Sequence, residues 1–283
     1  MSKGVLIFAR NNDQLDYVKQ AYFAAVRVKQ YLNVPVSIAT ENVEYLKKRY
    51  DVSVLDKIIK IETIEANNNR NFKDGAMWTK TASFKNIGRA DSYDLSPYDE
   101  TLVIDSDYII SNNHLAECFN SKHDFLIYKD ATDISRVRSE IEFENISDSS
   151  IPFYWATCVF FRKTEANKIF FDLVKHIQDN YVHYRKVYQI TNPMFRNDYA
   201  FSIAIHIMNG FSKGSFAHPM PGYMWFSTDN DVLWDMNGDD MFFLIEKENY
   251  LGEYTPIRIK GRTVHIMNKF SLERAINKEF GYE

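Results

Sequence analysis

Residues 96–110, SPYDETLVIDSDYII, decide the fold prediction. Turn-forming residues at 96–100 precede the apolar, mostly β-branched run of 101–104, and this order predicts a buried strand. Asp105 and Asp107 follow one residue apart, so both side chains point to the same side of an extended chain. Two such carboxylates repel each other unless a cation lies between them or one is protonated. The segment therefore predicts a site for a hard divalent ion such as Mn²⁺ or Mg²⁺, and the alternative is a strand-end turn with two solvated aspartates.

The composition sets wider limits. The chain has 283 residues, compatible with one large α/β domain or two small ones. The net charge of -4 gives no global attraction for nucleic acid, although a local basic face remains open. Cys118 and Cys158 lie in apolar surroundings without a CxxC pattern, which predicts buried thiols in a reducing compartment. We find no apolar run of membrane-spanning length and no signal-peptide pattern, so we expect a soluble cytoplasmic protein without a membrane partner.

The N-terminal third alternates between strand and helix patterns. Apolar runs at 4–9, 34–40 and 57–61 predict strands, and helical spacing at 15–32 and 43–50 predicts the connections. This order indicates a parallel sheet with crossover helices. Ligands of such sheets bind at the carboxyl ends of the strands, which places Arg10, Asn11 and Asn12 to meet a nucleotide. Helix capping is the alternative role of these three residues.

The remaining patterns are less regular. Residues 67–74 and 129–150 are polar and predict loops, whereas 76–84 predicts a helix that carries Lys80. Strands are expected at 124–128, 153–161 and 262–269, and helices from Thr164, after Asp198 and from Ser271. Beyond residue 210 we expect mainly aromatic-rich loop. A second Asp-x-Asp, Asp229 and Asp231, falls there, and we expect it to be turn or surface because no apolar strand precedes it.

The segment 96–110 resembles the DxD segment of nucleotide-sugar glycosyltransferases of the GT-A fold, where a turn, a strand and the DxD hold the metal and the sugar nucleotide. The resemblance implies an α/β fold of GT-A type, with a Rossmann-like, mostly parallel central sheet, flanking helices and an acceptor-side mixed sheet. It also implies a single domain, residues 1–283. Residues 1–128 would form the nucleotide-sugar-binding half and 129–283 the acceptor-side half.

Glycogenin-like members of this class supply further expectations. Lys80 resembles their donor-contacting lysine, with Lys85 and Arg89 as alternatives. His265 and Lys269 resemble the late histidine that completes the metal shell and the lysine that meets the diphosphate. The site set implied in this way has metal ligands Asp105, Asp107 and His265, donor-binding residues Arg10, Asn11, Asn12, Lys80, Ser106 and Lys269, and catalytic residues Asn197 and Asp198. Residues 155–158 read WATC where those enzymes have a sugar-lining NAGV, so the sugar stays open.

The implied activity is transfer of a sugar from a nucleoside-diphosphate sugar, UDP-sugar favoured, to a hydroxyl, with Mn²⁺ (or Mg²⁺) and retention at the sugar carbon. The start of the chain, MSKGVLIFARNNDQLDYVKQA, is similar to small glycosyltransferases of T-even-like phages. Those enzymes add glucose or arabinose to hydroxymethylcytosine in DNA, which would place this chain in the host cytoplasm. Alternative acceptors are a saccharide, a protein or a small molecule. A nucleotidyltransferase is disfavoured because residues 10–13 contain no glycine, and a catalytically inactive nucleotide-sugar-binding protein remains a further alternative.

Overall fold

The computed structural model describes residues 1–63, 69–85, 88–138, 143–148, 150–248 and 250–281. The helices are α1 (Tyr17–Tyr31), α2 (Val43–Arg49), α3 (Ser92–Leu95), α4 (Glu165–Asp179), α5 (Tyr181–Val187), α6 (Asn197–Met208) and α7 (Lys269–Phe280), with short 3-10 turns at Val52–Val54, Gly88–Asp91 and His114–Asn120. The strands are β1 (Lys3–Ala9), β2 (Val36–Thr40), β3 (Lys57–Lys60), β4 (Asn69–Lys73), β5 (Thr79–Ser83), β6 (Glu100–Ile104), β7 (Tyr108–Ile109), β8 (Phe125–Tyr128), β9 (Ala131–Asp133), β10 (Trp155–Arg162), β11 (His218–Pro219), β12 (Met224–Ser227), β13 (Val232–Asn237), β14 (Asp240–Glu246), β15 (Tyr254–Lys260) and β16 (Val264–Ile266).

A seven-stranded central sheet has the order β11-β8-β10-β6-β1-β2-β3. The pairs β6-β1, β1-β2 and β2-β3 are parallel, and β10 runs antiparallel to both of its neighbours. The strands β1, β2 and β6 are almost continuously buried, as expected for a sheet covered on both faces. The predicted α/β fold with a mostly parallel central sheet is confirmed. The strand order reverses between β1 and β6, and crevices of this kind are where ligands of open α/β sheets bind.

The turn that feeds β6 is fixed by side chains of the first two strands. Tyr98 is buried, its hydroxyl lies 2.6 Å from the Ser37 hydroxyl on β2, and its ring fills the space beside Gly4. A Cβ atom at Gly4 would lie 2.4 Å from that ring, so only glycine fits there. Asp99 accepts a hydrogen bond from the backbone N–H of Ser2, at 2.8 Å. These contacts explain why the residues before the Asp-x-Asp segment are a tyrosine and an aspartate.

A second, mixed sheet adjoins the end of β6, in the order β7-β16-β12-β9. It contains one antiparallel pair, β16-β7, and two parallel pairs. A separate antiparallel sheet, β13-β14-β15, packs one face against α7 through a hydrophobic cluster that includes Leu233, Met241 and Leu272. No helix in the described part of the chain combines the length and the apolar character that crossing a membrane requires.

Two sequence predictions about residues 67–84 are wrong. The structure has a hairpin, β4 paired with β5, in place of a loop followed by a helix. Gly75 lies near its tip with φ +76°, and Phe72 and Ala82 are the buried members of the two strands. Tertiary packing of these two side chains overrides the helical propensity of the Ala-, Met- and Lys-containing segment. Residues 67 and 68 of the predicted loop lie outside the described residues.

The expectation of mainly loop between residue 210 and the predicted strand at 262–269 is also wrong, because β11 to β15 lie there. The strand β16 falls within the predicted strand at 262–269. The strand β12 directly precedes the second Asp-x-Asp segment, contrary to prediction. Asn237-Gly238 forms the β13-β14 turn with Gly238 at φ +58°, and Asn-Gly is a strong hairpin signal that the sequence carried. In the predicted loop at 129–150, residues 131–133 form β9, while 139–142 and 149 lie outside the described residues.

Candidate active site

The first Asp-x-Asp segment links the central sheet to the second sheet. The backbone N–H of Asp105 donates to the carbonyl of Thr157 on β10, at 2.9 Å, and the carbonyl of Asp107 accepts from Ile266 on β16, also at 2.9 Å. Three residues after the end of β6 the chain enters β7, where Tyr108 pairs with His265 of β16. The strand β16 therefore brings a histidine from late in the chain to the end of β6.

Asp105, Asp107 and His265 form a cluster that could hold a metal ion. Each offers one ligand atom, and these atoms lie within 4.8 Å of one another. His265 Nε2 is 3.7 Å from Asp105 Oδ2 and 3.3 Å from Asp107 Oδ2. Two carboxylates with an imidazole suit Mn²⁺, and less well Mg²⁺, so the residues fit the ion that the sequence implied.

Two cations neutralise the carboxylates of the cluster. Lys269 Nζ donates to Asp107 Oδ2 at 2.7 Å, and the Arg89 guanidinium contacts Asp105 and the carbonyl of Ala156. Burial alone raises the pKa of Asp107, but the charges of Lys269 and His265 outweigh it and hold that pKa well below its usual range. Asp107 is therefore ionised, which is the state a metal ligand needs.

The cluster lies in the wall of a cavity of about 240 Å³. We name its two ends by the strands on either side of β6. The β1 end is lined by Phe8, Tyr17, Arg70 and Phe84. The β10 end is lined by Trp155, Thr157, Asn192, Met194, Phe195, Arg196, Asn197 and Asp198.

Asp198 is fixed at the β10 end. Its Oδ1 accepts from the backbone N–H of Ala156 at 3.0 Å, and its Oδ2 accepts from Arg196 Nε at 3.2 Å and Nη2 at 3.0 Å. The helix α6 begins at Asn197 with Arg196 in the N-cap position, so Asp198 is not the helix cap. These contacts hold a buried carboxylate in the cavity wall, opposite the β1 end.

Seven of the eleven site residues predicted from the sequence line the cavity. These are Asp105, Ser106, Asp107, Asn197, Asp198, His265 and Lys269. Arg89, an alternative to Lys80, also lines it. The sequence analysis missed Tyr17, Arg70, Thr157 and Arg196, of which only Arg196 had a signal, because it directly precedes Asn197-Asp198.

The other four predicted residues lie outside the cavity lining. Arg10 is buried and donates to the carbonyls of Lys85 and Glu62, at 3.3 and 3.4 Å. Asn11 and Asn12 accept backbone hydrogen bonds from the start of the α1 region, at 2.9 Å from Val18 and 2.8 Å from Leu15. The Asn11 contact matches the helix-capping alternative, whereas Asn12 closes the turn before α1 and Arg10 bridges the segments that follow β3 and β5. The Lys80 ammonium, on β5, lies 5.3 Å from the Trp78 ring.

Comparisons with known proteins give similarity in outline only. No protein-family model and no curated protein matches the chain. A solved structure of the glycosyltransferase GlyE from Streptococcus pneumoniae TIGR4 is 9% identical over 74% of this chain, with a TM-score of 0.42, and this chain covers 43% of GlyE. An active-site mutant of LgtC is 11% identical, with 71% and 69% of the two chains covered and a TM-score of 0.45. The galactosyltransferase LgtC in complex with donor and acceptor sugar analogues is 11% identical, with 71% and 70% covered and a TM-score of 0.44. Similarity of this size defines no residue correspondence, so the functional argument rests on the geometry of the site.

Proposed function

We propose that this chain is a metal-dependent glycosyltransferase that uses a nucleoside-diphosphate sugar. The observation that carries the proposal is the convergence of Asp105, Asp107 and His265 in one cavity with Lys269 and Arg89. The cavity lies at the carboxyl end of β6, beside the reversal of strand order, where α/β sheets bind nucleotides. A hard-metal site flanked by cations can stabilise the negative charge that develops on a diphosphate as it departs from a sugar.

The charges of the cavity suit a diphosphate. Its three carboxylates each contact a cation, in the pairs Asp105–Arg89, Asp107–Lys269 and Asp198–Arg196, and Arg70 adds a fourth cation. A bound divalent ion would supply positive charge to the bridging and terminal oxygens of the leaving diphosphate. Lys269 and Arg89, no longer needed to neutralise the carboxylates, would then donate hydrogen bonds to phosphate oxygens. The cavity with metal would carry a net positive charge that matches the anionic donor.

For the stereochemistry, we propose retention, with Asp198 near the reacting sugar carbon. Among the described residues that line the cavity, Asp198 is the carboxylate outside the metal cluster. Its position at the β10 end places it where the sugar would lie if the nucleoside occupies the β1 end. Its negative charge would stabilise the cationic sugar as the diphosphate departs. The departing phosphate would take up the proton of the acceptor hydroxyl.

For the metal, donor and acceptor we propose Mn²⁺, a UDP-sugar and hydroxymethylcytosine in DNA. The support for the acceptor is the sequence resemblance of residues 1–21 alone. Two arginines that could contribute to a local basic face for DNA are engaged in ion pairs, Arg138 with Asp133 and Asp231, and Arg258 with Asp240. These pairs leave less free positive charge for a phosphate backbone than the sequence suggested.

A donor-turnover assay tests the proposal. The protein is incubated with Mn²⁺ and a panel of nucleotide sugars, and release of nucleoside diphosphate is followed with and without hydroxymethylcytosine-containing DNA. We expect Mn²⁺-dependent release that Asp107→Asn abolishes and that Asp229→Asn, a matched change in the second Asp-x-Asp segment, leaves intact.

Release that the DNA stimulates, and that weakens steeply with salt, supports the DNA acceptor. Release without such stimulation keeps the glycosyltransferase and directs the search to saccharide, protein or small-molecule acceptors. Metal-dependent binding of nucleotide sugars without turnover of any donor contradicts the enzyme and favours an inactive binding protein.

A further inference from the structure

The hairpin β4-β5 brings an arginine to the β1 end of the cavity. Its register pairs Arg70 with Ala82 and Phe72 with Lys80, so these four residues share one face of the hairpin. The Arg70 guanidinium lies 5.6 Å from the centres of both the Phe72 and the Phe84 rings. Contacts of a guanidinium with two aromatic rings restrict its orientation. Arg70 and Phe84 both line the cavity that holds the metal cluster.

Hydrogen bonds and an ion pair hold the hairpin to the rest of the protein at its tip and at its base. At the tip, Asp74 binds Arg274 of α7 through two contacts of 2.6 and 2.8 Å, and the backbone N–H of Gly75 donates to the carbonyl of Asp229 at 3.2 Å. At the base, Asn12 Nδ2 donates to the carbonyl of Ser83 at 2.8 Å. The hairpin that carries Arg70 is therefore bonded to α7 at one end and to the turn before α1 at the other.

Arg70 differs from the other cations of the cavity. Arg89, Arg196 and Lys269 each contact an aspartate. Within the described ranges of the chain, no carboxylate oxygen lies within 4.0 Å of a nitrogen of the Arg70 side chain. Among the described residues that line the cavity, Arg70 is thus the cation without an aspartate partner.

Tyr17 connects Arg70 to the metal cluster. It is the first residue of α1, is almost fully buried and lines the same cavity. Burial raises its pKa, and the charges of Arg70 and Asp107 act on that pKa in opposite directions. Tyr17 is therefore close enough to the hairpin arginine and to the metal-binding aspartate for both charges to act on it. Its hydroxyl forms no hydrogen bond with any described residue.

We propose that Arg70 binds a phosphate of the nucleoside-diphosphate donor, which makes the β4-β5 hairpin a donor-binding element. The inference rests on the proposed function. A guanidinium offers two parallel N–H donors to a phosphate, and its contacts with Phe72 and Phe84 hold that fork in place. The charge of Arg70, in the same cavity as Lys269 and Arg89, suits the diphosphate of the donor rather than its uncharged nucleoside.

Calorimetric titration with nucleoside diphosphates and with the corresponding nucleosides, both with Mn²⁺, tests the inference. The variants are Arg70→Ala and Arg70→Lys, and the matched control is Arg258→Ala, which removes an arginine beside Phe242 on an antiparallel strand remote from the cavity. We expect Arg70→Ala to weaken diphosphate binding by about 10- to 100-fold and to leave nucleoside binding unchanged. Arg70→Lys should restore part of the loss because it keeps the charge without the fork. Arg258→Ala should bind as the wild type does, and thermal unfolding of each variant shows that it is folded.

The outcomes separate the two proposals. If the wild type binds a nucleoside diphosphate with Mn²⁺ and Arg70→Ala binds it equally well, the inference about Arg70 is wrong and the proposed function stands. If Arg70→Ala weakens nucleoside and diphosphate binding alike, Arg70 contacts the nucleoside and the phosphate assignment is wrong. If the wild type binds no nucleoside diphosphate with Mn²⁺, the proposed function fails, and the inference fails with it.

Discussion

The chain contains two Asp-x-Asp segments that each follow a short buried strand, and they have different surroundings. Asp105 and Asp107 follow β6 and face His265, Lys269 and a cavity. Asp231 follows β12, and its two carboxylate oxygens accept hydrogen bonds from protein donors. Arg138 contacts it at 2.8 and 2.6 Å, and the backbone N–H groups of Thr228 and Glu246 donate to it at 2.9 and 3.1 Å.

This difference shows that the hydrogen-bond and ion-pair partners of a carboxylate, rather than the Asp-x-Asp sequence pattern, decide its role. The oxygens of Asp231 are saturated by hydrogen bonds, so it joins β12, β14 and the segment after β9 into one unit. Asp105 and Asp107 converge on a histidine with ligand atoms close enough for one ion. The first segment is therefore the candidate for chemistry and the second for structure, and each prediction below tests one side of this contrast.

The largest expected effect is on turnover. Asp107→Asn keeps the shape of the side chain but removes the charge that faces the metal and Lys269, so we expect donor turnover to fall by about 100-fold or more. Asp229→Asn should stay within about twofold of the wild type, because its effect is that of a typical surface change. Steady-state kinetics with Mn²⁺ measure both. Equal losses in the two variants would remove the functional contrast between the segments.

The next effect is on stability. Asp231→Ala leaves the partly buried guanidinium of Arg138 with less compensation and removes the acceptor of two backbone N–H groups, so we expect a loss of about 3 kcal/mol in the free energy of unfolding. Urea denaturation measures it. Turnover per folded molecule should be retained. Asp240→Ala, which breaks the exposed pair with Arg258, should leave the unfolding midpoint nearly unchanged. A stable Asp231→Ala protein would show that the second segment is dispensable for the fold.

Metal should stabilise the protein through the first segment only. At a Mn²⁺ concentration ten times the dissociation constant, we expect about 1.4 kcal/mol of added stability. Removal of the ion with a chelator should reverse the gain and stop turnover. The gain should vanish in Asp107→Asn and persist in Asp231→Ala. Thermal unfolding with and without Mn²⁺ measures it, and a gain that survives Asp107→Asn would place the ion elsewhere.

The smallest effect concerns the turn that positions the first segment. Tyr98→Phe removes the hydrogen bond to Ser37 while keeping the ring against Gly4, so we expect a loss of about 1 kcal/mol in the free energy of unfolding. Turnover should change little, because β6 and its aspartates keep their backbone contacts. If turnover falls sharply instead, the turn controls the metal cluster more directly than its hydrogen bonds indicate.

Local, contiguous signals made part of this structure predictable. The apolar runs at 4–9, 34–40 and 57–61 predicted the parallel sheet. The Asp-x-Asp at the end of the run 101–104 predicted a metal site. His265 and Asp198 came from a family resemblance, because nothing local indicates that β16 brings a histidine next to β7. The sequence could place these residues in one site only through that resemblance.

Other features depend on partners far along the chain. Arg138 and Asp231 are 93 residues apart, and Asp74 and Arg274 are 200 apart, so neither pair has a local signal. The strand β12 has four residues, and its neighbours β9 and β16 come from distant segments. The hairpin with Arg70 has mostly exposed strands, so the alternation that predicts strands was weak there.

The most direct test of the central claim is electron paramagnetic resonance of Mn²⁺ titrated with the protein. The signal of the free hydrated ion should fall as the wild type binds it at one site, and a nucleoside diphosphate should tighten that binding, because the two ligands share the cavity and coupling between them is reciprocal. Asp107→Asn and His265→Ala should lose the site, and Asp231→Ala should keep it. Mn²⁺ binding that is absent in the wild type, or indifferent to Asp107→Asn and to the nucleotide, would contradict a metal-dependent glycosyltransferase built on Asp105, Asp107 and His265.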